Sequence, residues 1–308
     1  MNKYELIIIG GGPAGISAGI YVARLGVNAL LITKEFGGQI GKKAVDIENY
    51  PGFSKISGPE LIKKMEEHLK SNKIDIEMSE VKKIEKKERS FVVSTSDGKE
   101  HSALSLILAT GSDPRLLEVP GEKEYIGKGV SYCALCDGPI FADKTVAIIG
   151  GGNAGFETAI FLSKVVKKIY IFEFGEKVKA FESNQKLVEE TGKAEIIANA
   201  RLKEIHGKDF VEFITYGDKK TGEEKSIEVQ GVFVEVGRMP ATAYAKGLVD
   251  FNERDEIKVE PETCETSTLG IFSAGDMNEG VFKQVATAVG EGTKAALAAH
   301  NYIQKNKE

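Results

Sequence analysis

Leu6-Ile7-Ile8-Ile9-Gly10-Gly11-Gly12-Pro13-Ala14-Gly15 sets the reading of the whole chain. Four apolar residues bounded by glycine have the length and composition of a strand buried on both faces of a parallel sheet. Residues 16–24 follow at helical spacing, Gly26 supplies a stop, and residues 29–32 form a second apolar run. The order is strand, G-x-G-x-x-G, helix, strand. The glycines permit a tight turn and let a pyrophosphate approach the helix N-terminus, where unpaired N–H groups and the helix dipole hold negative charge. Glycine spacing alone is weak evidence, but the βαβ setting makes it specific. Gly10, Gly12, Pro13, Ala14 and Gly15 are therefore assigned to a dinucleotide. The acidic residue usual at the end of the second strand is replaced by Thr33-Lys34, and Glu35 comes slightly late, which leaves its ribose contact open.

The pattern then returns. Strand Thr145–Ile149 leads into Gly150-Gly151-Gly152-Asn153-Ala154-Gly155, a helical run over residues 156–164, and a strand over residues 169–172 with Glu173 at its end. This internal repeat gives one chain two dinucleotide sites, the second held by Gly150, Gly152, Asn153, Ala154, Gly155 and Glu173. Glu173 lies about 20 residues past the glycines, placed to accept hydrogen bonds from a ribose hydroxyl. A 2′-phosphate at that point would face a carboxylate. Repulsion of ~4 kcal/mol at 4 Å and an effective dielectric near 20, screened to ~1–2 kcal/mol, still gives roughly tenfold discrimination against the phosphorylated coenzyme.

Between the two copies stands Ser131-Tyr132-Cys133-Ala134-Leu135-Cys136-Asp137-Gly138. C-x-x-C spacing brings two sulfurs together across one turn at the start of a helix, where backbone N–H groups favour a thiolate. The same spacing serves zinc, but a zinc site needs further ligands at suitable intervals. The remaining cysteine is Cys264, and His68, His101, His206 and His300 are scattered. A redox dithiol is the preferred reading, and no metal is expected.

Composition sets the outer limits. The chain has 308 residues, enough for two domains, and its 46 acidic against 41 basic residues leave a net charge of −5 with no basic cluster, which argues against nucleic acid. The N-terminal apolar run is broken at once by glycines and reads as a buried strand, not a signal peptide. No apolar segment is long enough to span a bilayer. Three cysteines, one unpaired, do not make a disulfide framework, so the expected compartment is the cytoplasm.

Further along, Leu106-Ile107-Leu108-Ala109-Thr110-Gly111 is a buried strand ending in small residues, as expected where the chain passes under a bound cofactor. Residues 82–89 read as a charged, solvated hairpin. Pro114, Pro120 and Gly121 mark one crossover between domains, and Pro240 marks the second. Gly275-Asp276 ends a strand where a carboxylate can reach a ribityl or ribose hydroxyl. Lys283-Gln284 opens an alanine-rich terminal helix and offers a cation and an amide to a ring system.

With these motifs in place the chain resembles the low-molecular-weight thioredoxin reductases along essentially its whole length. The resemblance rests on Gly10 to Gly15, Gly37-Gly38-Gln39, Glu48-Asn49-Tyr50-Pro51-Gly52, Ala109-Thr110-Gly111, Pro120-Gly121-Glu122, Gly129 to Gly138, and Ala274-Gly275-Asp276. It implies an α/β protein of two Rossmann-like dinucleotide-binding domains. The FAD domain comprises residues 1–113 and 241–308, and an inserted NAD(P)H domain, residues 114–240, carries the dithiol. It further implies a homodimer, and FAD contacts from Gly38, Gln39, Asn49, Val81, Ala109, Thr110, Gly111, Gly275, Asp276, Lys283, Gln284 and Val285, with Gly237 added to the nicotinamide side. One region departs from that family. Its His-Arg-Arg run and later Arg-Ala are replaced by Phe172-Glu173-Phe174-Gly175-Glu176-Lys177-Val178-Lys179-Ala180, which is similar to the reductase module of the alkyl hydroperoxide reductase flavoprotein and implies NADH rather than NADPH. That flavoprotein has an extra thioredoxin-like N-terminal domain. Here the first strand starts by Leu6, so electrons are expected to pass to a separate thioredoxin-like or glutaredoxin-like protein.

The implied sequence of events is hydride transfer from NADH to FAD, reduction of the Cys133–Cys136 disulfide, and exchange with a partner disulfide. By the resemblance Cys136 is the flavin-proximal sulfur, Cys133 attacks the partner, and Asp137 is the general acid. Rotation of the inserted domain about the two crossovers is expected, because one fixed geometry can hardly serve both flavin and partner. The alternatives are a ferredoxin-linked or otherwise nicotinamide-independent disulfide reductase, a small-molecule dithiol oxidase of the same fold, and a non-enzymatic flavoprotein.

Overall fold

A computed structural model describes residues 2–43, 46–280 and 282–307. The chain divides into two compact units, one running to Asp113 and resuming at Met239, the other Pro114–Arg238. The return crossing thus falls two residues ahead of Pro240.

The first unit is built on a seven-stranded sheet. Asn2–Gly11 lies at its centre, parallel to Ala29–Phe36 on one side and to Glu100–Leu108 on the other. Asp75–Met78 extends one edge, and Ile271–Ser273 adds a late parallel strand beside Leu106–Leu108. The charged run lies in an antiparallel hairpin of Val81–Lys86 and Phe91–Thr95. Leu6, Ile7 and Ile8 are fully buried because helices cover one sheet face and the hairpin and later loops cover the other.

Two helices pack beside the first glycine loop. Pro13–Arg24 starts with proline at its first turn, where no N–H is needed, and packs against the terminal helix Val285–Asn306. The approach is close: a Cβ on Gly292 would lie 2.1 Å from the Ala14 carbonyl oxygen. Ser17 Oγ donates to the Val289 carbonyl at 2.9 Å across the same seam.

The second unit repeats the plan with a five-stranded parallel sheet. Its order is Val130–Ser131, Gly231–Val234, Thr145–Ile149, Lys168–Phe172, Ala194–Ile197, and a three-stranded antiparallel sheet follows. The helix after its glycine loop is Asn153–Leu162. Both units are therefore Rossmann-type folds. The crossings run side by side: Gly111 O accepts the Ala241 N–H at 3.0 Å in the first unit, and Gly237 O accepts the Arg115 N–H at 2.9 Å in the second.

Candidate active site

The two glycine loops have nearly the same geometry. Gly10 and Gly150 adopt φ of +118° and +129°, and a Cβ on either would stand 2.3 Å from a backbone oxygen, of Ala109 or of Glu235. On Gly15 or Gly155 it would stand 1.9 Å from the carbonyl of Gly10 or Gly150. Gly12 and Gly152 face nothing within 4 Å. Each loop is thus closed against its strand and helix and open toward the helix N-terminus, the form a pyrophosphate requires. Pro13 and Ala14 in one unit, Asn153 and Ala154 in the other, form the first helical turn below.

The ribose side differs between the copies. Glu173 accepts the Gly151 N–H at 3.0 Å and the Gly175 N–H at 2.6 Å, so its carboxylate is fixed beside the second loop. In the first unit Thr33, not Glu35, holds the corresponding place: a Cβ on Gly11 would meet Thr33 Oγ1 at 2.6 Å, as one on Gly151 would meet Glu173 Oε2 at 2.6 Å. Glu35 lies two residues further along an extended strand, exposed, with its carbonyl accepting from the Thr33 hydroxyl at 2.6 Å. Aligning the two repeats residue by residue would have found Thr33.

Of the other residues of the first unit, Ala109 and Gly275 lie against its loop. Gly38 has φ +53°, and Gln39 Nε2 donates to the Ser112 carbonyl. Ala109 N–H bonds to the Ile9 carbonyl at 2.7 Å, and Thr110 Oγ1 is bonded to the Ala241 carbonyl at 2.7 Å and to Tyr244 Oη at 2.9 Å. Gly111, at φ +70°, turns the chain away. Gly275, at φ +89°, donates its N–H to Glu291 Oε2 at 2.6 Å, and Asn278 Nδ2 donates to the same oxygen at 3.2 Å, which sets the turn carrying half-buried Asp276. Burial pushes the Glu291 carboxyl upward against those bonds. Asn49 Nδ2 donates to Gln284 Oε1 at 3.1 Å. The Lys283 ammonium is held by Glu256, at 3.4 Å, and the Asn278 carbonyl. Val285 packs on the Ile47–Ile56–Leu61 cluster, and Val81 lies in the sheet core. Tyr244 carries no motif, and Glu291, which lies in the Lys283–Gly292 stretch similar to the alkyl hydroperoxide reductase flavoprotein, gave no sign in sequence of its bond to Gly275.

Around the second loop lies a cleft of about 720 Å³, lined by Gly150–Gly152, Glu173, Arg201, Lys203, Glu235 and the 116–120 segment. The chain beyond Glu173 is pinned to the glycine loop: Lys179 N–H donates to the Gly151 carbonyl at 2.8 Å, and Phe181 N–H to Asn153 Oδ1 at 2.7 Å. Gly237, at φ +101°, lies where the chain leaves the unit.

The dithiol lies in the same unit. Cys133 and Cys136 form a disulfide with Cα atoms 5.3 Å apart. Cys133 caps the short helix Ala134–Asp137, and its Sγ accepts the Cys136 N–H at 3.2 Å. Ser131 Oγ donates to Asp137 Oδ2 at 2.6 Å and accepts the Cys133 N–H at 3.1 Å, tying acid and dithiol to one hydroxyl. Burial raises the Asp137 carboxyl above its ordinary range, and the Ser131 hydrogen bond opposes this. Tyr132 Oη donates to buried Glu122 at 2.9 Å, and Glu122 accepts the N–H groups of Leu117 and Glu118 at the cleft wall. Cys136 is exposed, and Leu135 and Ile140 beside it are 53% and 65% exposed. Cys264 is buried, its thiol pushed up to about 12 by desolvation. Among the described residues no His, Cys, Asp and Glu cluster could hold a metal, and no helix is long and apolar enough to cross a membrane.

Residues 4–292 match the family model for pyridine nucleotide-disulphide oxidoreductases. The chain is 40% identical over 306 residues to a Bacillus subtilis NADH dehydrogenase, and 38% identical over 307 residues to an alkyl hydroperoxide reductase component of Staphylococcus aureus. In each case the match covers 99% of this chain and 60% of the relative, so the chain spans about three fifths of their length. A thioredoxin reductase structure from Streptococcus pyogenes superposes with a TM-score of 0.92 at 36% identity, covering 98% of this chain and 99% of that one. With two Rossmann-type folds and a disulfide between Cys133 and Cys136, the chain belongs to the pyridine nucleotide-disulphide oxidoreductases, in the low-molecular-weight, FAD-dependent class related to thioredoxin reductase.

Proposed function

We propose that the chain is an NADH-dependent reductase of a disulfide on a thioredoxin-like or glutaredoxin-like protein, acting as a cytoplasmic homodimer. The observation that carries this reading is the Cys133–Cys136 disulfide with Asp137 on one hydrogen-bonded turn, in the unit whose nucleotide loop is completed by Glu173. FAD, for which the first loop has the right form, supplies a two-electron relay between nicotinamide and disulfide when bound. Thr110, Asp276 and the Asn49–Gln284 pair are assigned to holding it. Glu173 is assigned to the adenine ribose of NADH, whose hydroxyls donate to a carboxylate already fixed by two backbone N–H groups.

The chemistry at sulfur then follows from the turn itself. In the reduced pair the Cys136 N–H that now points at Cys133 Sγ stabilises a Cys133 thiolate. That thiolate attacks one sulfur of the partner disulfide to form a mixed disulfide, and Asp137 gives a proton to the departing thiolate. Cys136 sulfur next attacks Cys133 Sγ, which restores the intramolecular disulfide and releases the second partner thiol. Leu135 and Ile140 offer the partner an apolar rim. The adjacent crossings at 113–114 and 238–239 are assigned as hinges, since the dithiol must serve flavin and partner in turn. A crosslink between the units should abolish turnover with a protein disulfide while sparing one half-reaction, and full turnover would refute the hinge.

The test of the donor is anaerobic bleaching of bound flavin by NADH and by NADPH at equal concentration. Fast bleaching by NADH alone supports the reading. Equal rates would remove Glu173 as the selector, and bleaching by neither would turn the search toward ferredoxin.

A further inference from the structure

The two units provide an internal control for one half-buried acid. At the strand end beside each glycine loop, a residue donates its N–H to the strand before the loop: Ala109 to the Ile9 carbonyl at 2.7 Å, and Glu235 to the Ile149 carbonyl at 2.8 Å. A Cβ on Gly10 or Gly150 would meet the carbonyl of that same residue at 2.3 Å in both units. Ala109 and Glu235 are therefore equivalent in place, and each is followed two residues later by a positive-φ glycine, Gly111 or Gly237. On the helix, Ala18 occupies the fourth position after Ala14, and Thr158 the fourth after Ala154. The first unit fills this site with two buried alanines, 4% and 0% exposed. The second places there a carboxyl and a hydroxyl, Thr158 Oγ1 donating to Glu235 Oε1 at 2.8 Å.

The fold does not need that acid, because the sister copy closes the same strand, loop and helix without it. Burying a carboxyl costs stability. Glu235 nevertheless lines the nucleotide cleft, with one oxygen oriented by Thr158. Its place along the sheet says what it meets. The strand order puts Lys168–Phe172, ending at Glu173, on one side of Thr145–Ile149, and Gly231–Val234, ending at Glu235, on the other. A dinucleotide lying across the strand ends with its pyrophosphate on the central glycine loop and its adenosine ribose at Glu173 has its nicotinamide riboside on the Glu235 side.

We propose that Glu235 is a positioning residue for the nicotinamide half of the coenzyme and makes the site discriminate between its uncharged reduced ring and its cationic oxidised ring. The inference rests on the NADH reading of the site. On loss of a hydride to the flavin the nicotinamide ring becomes a cation, and an ionised carboxylate at this end of the cleft favours that form. A neutral carboxyl gives up the preference. Burial places the Glu235 titration at about 7, so the charge changes between pH 6 and pH 8. The charged groups around it are Glu157 on the helix of Thr158, Arg238 beyond the strand, Glu173 across the glycine loop on the far side of Thr145–Ile149, and Arg201 and Lys203 on the antiparallel sheet lining the cleft.

The experiment measures the dissociation constants of NAD⁺ and of 1,4,5,6-tetrahydro-NAD, an uncharged coenzyme that cannot deliver hydride, to the flavin-loaded protein by calorimetry at pH 6 and pH 8. The ratio of the two affinities should move toward NAD⁺ by on the order of tenfold between these pH values, as expected for one screened charge pair. Glu235→Gln keeps an acceptor for Thr158 but no charge, and its ratio should not move. Glu235→Ala, which copies the first unit, should behave like the glutamine variant. The same pH shift in wild type and Glu235→Gln, or no shift in wild type, overturns the assignment of Glu235 while leaving the coenzyme reading intact. Failure of wild type to bind either coenzyme overturns both.

Discussion

Replacing Glu173 by alanine separates its two duties, because the carboxylate proposed to hold the adenine ribose also accepts the Gly151 and Gly175 N–H groups at 3.0 and 2.6 Å. Loss of a charged acceptor for a ribose hydroxyl is worth about 1.5–3 kcal/mol, so NADH binding should weaken by roughly 10–150-fold. Loss of the screened repulsion toward a 2′-phosphate, about 1–2 kcal/mol, should strengthen NADPH binding by roughly 5–30-fold. Loosening of the loop that follows, held to the Gly151 carbonyl by the Lys179 N–H, weakens both coenzymes alike and cancels from their ratio. The assay is the concentration dependence of anaerobic flavin bleaching by each coenzyme, in wild type and variant. If the NADH-to-NADPH ratio of half-saturating concentrations is unchanged, Glu173 is only a clip for the loop and the selectivity argument fails.

Three further outcomes follow from the geometry. Because burial raises the Asp137 carboxyl, its acid form persists above the usual carboxylate range and disappears as pH rises. The rate of exchange with a protein disulfide should fall on that limb, and Asp137→Asn should lose the limb and about 10²-fold in rate, as stopped-flow measurement would show. Gly292→Ala would drive a Cβ onto the Ala14 carbonyl at 2.1 Å; calorimetric melting should show a loss of about 1–3 kcal/mol, with release of flavin at lower temperature. Glu235, raised from 4.5 to about 7 by burial, favours the folded state while neutral, a contribution complete below about pH 4.5 and lost as pH rises through about 7. Glu235→Gln should therefore be more stable than wild type at pH 8 by roughly 2–3 kcal/mol, and little different near pH 4.5.

What the sequence determined by itself is the part governed by local geometry. A strand, a glycine turn and a helix start lie within a dozen residues, and their hydrogen bonding is set by backbone freedom at Gly10, Gly15, Gly150 and Gly155. The C-x-x-C turn and its neighbouring acid are equally local, and Glu173 lies a fixed strand and helix away from its loop. Tertiary structure decided the rest. Thr33 and Glu35 point to the same face of the second strand, two residues apart, and which of them meets the first loop is decided by how the strand is registered against its neighbour, which sets Thr33 against Gly11. The bond of Glu291 to Gly275, and that of Asn49 to Gln284 across 235 positions, exist only because the terminal helix returns to the first sheet. The Thr158–Glu235 pair, 77 residues apart, forms because the two strands beside the loop are neighbours in space. Periodicity and spacing report what a segment forms, whereas which segments meet is settled by packing between parts of the chain that carry no local mark of one another.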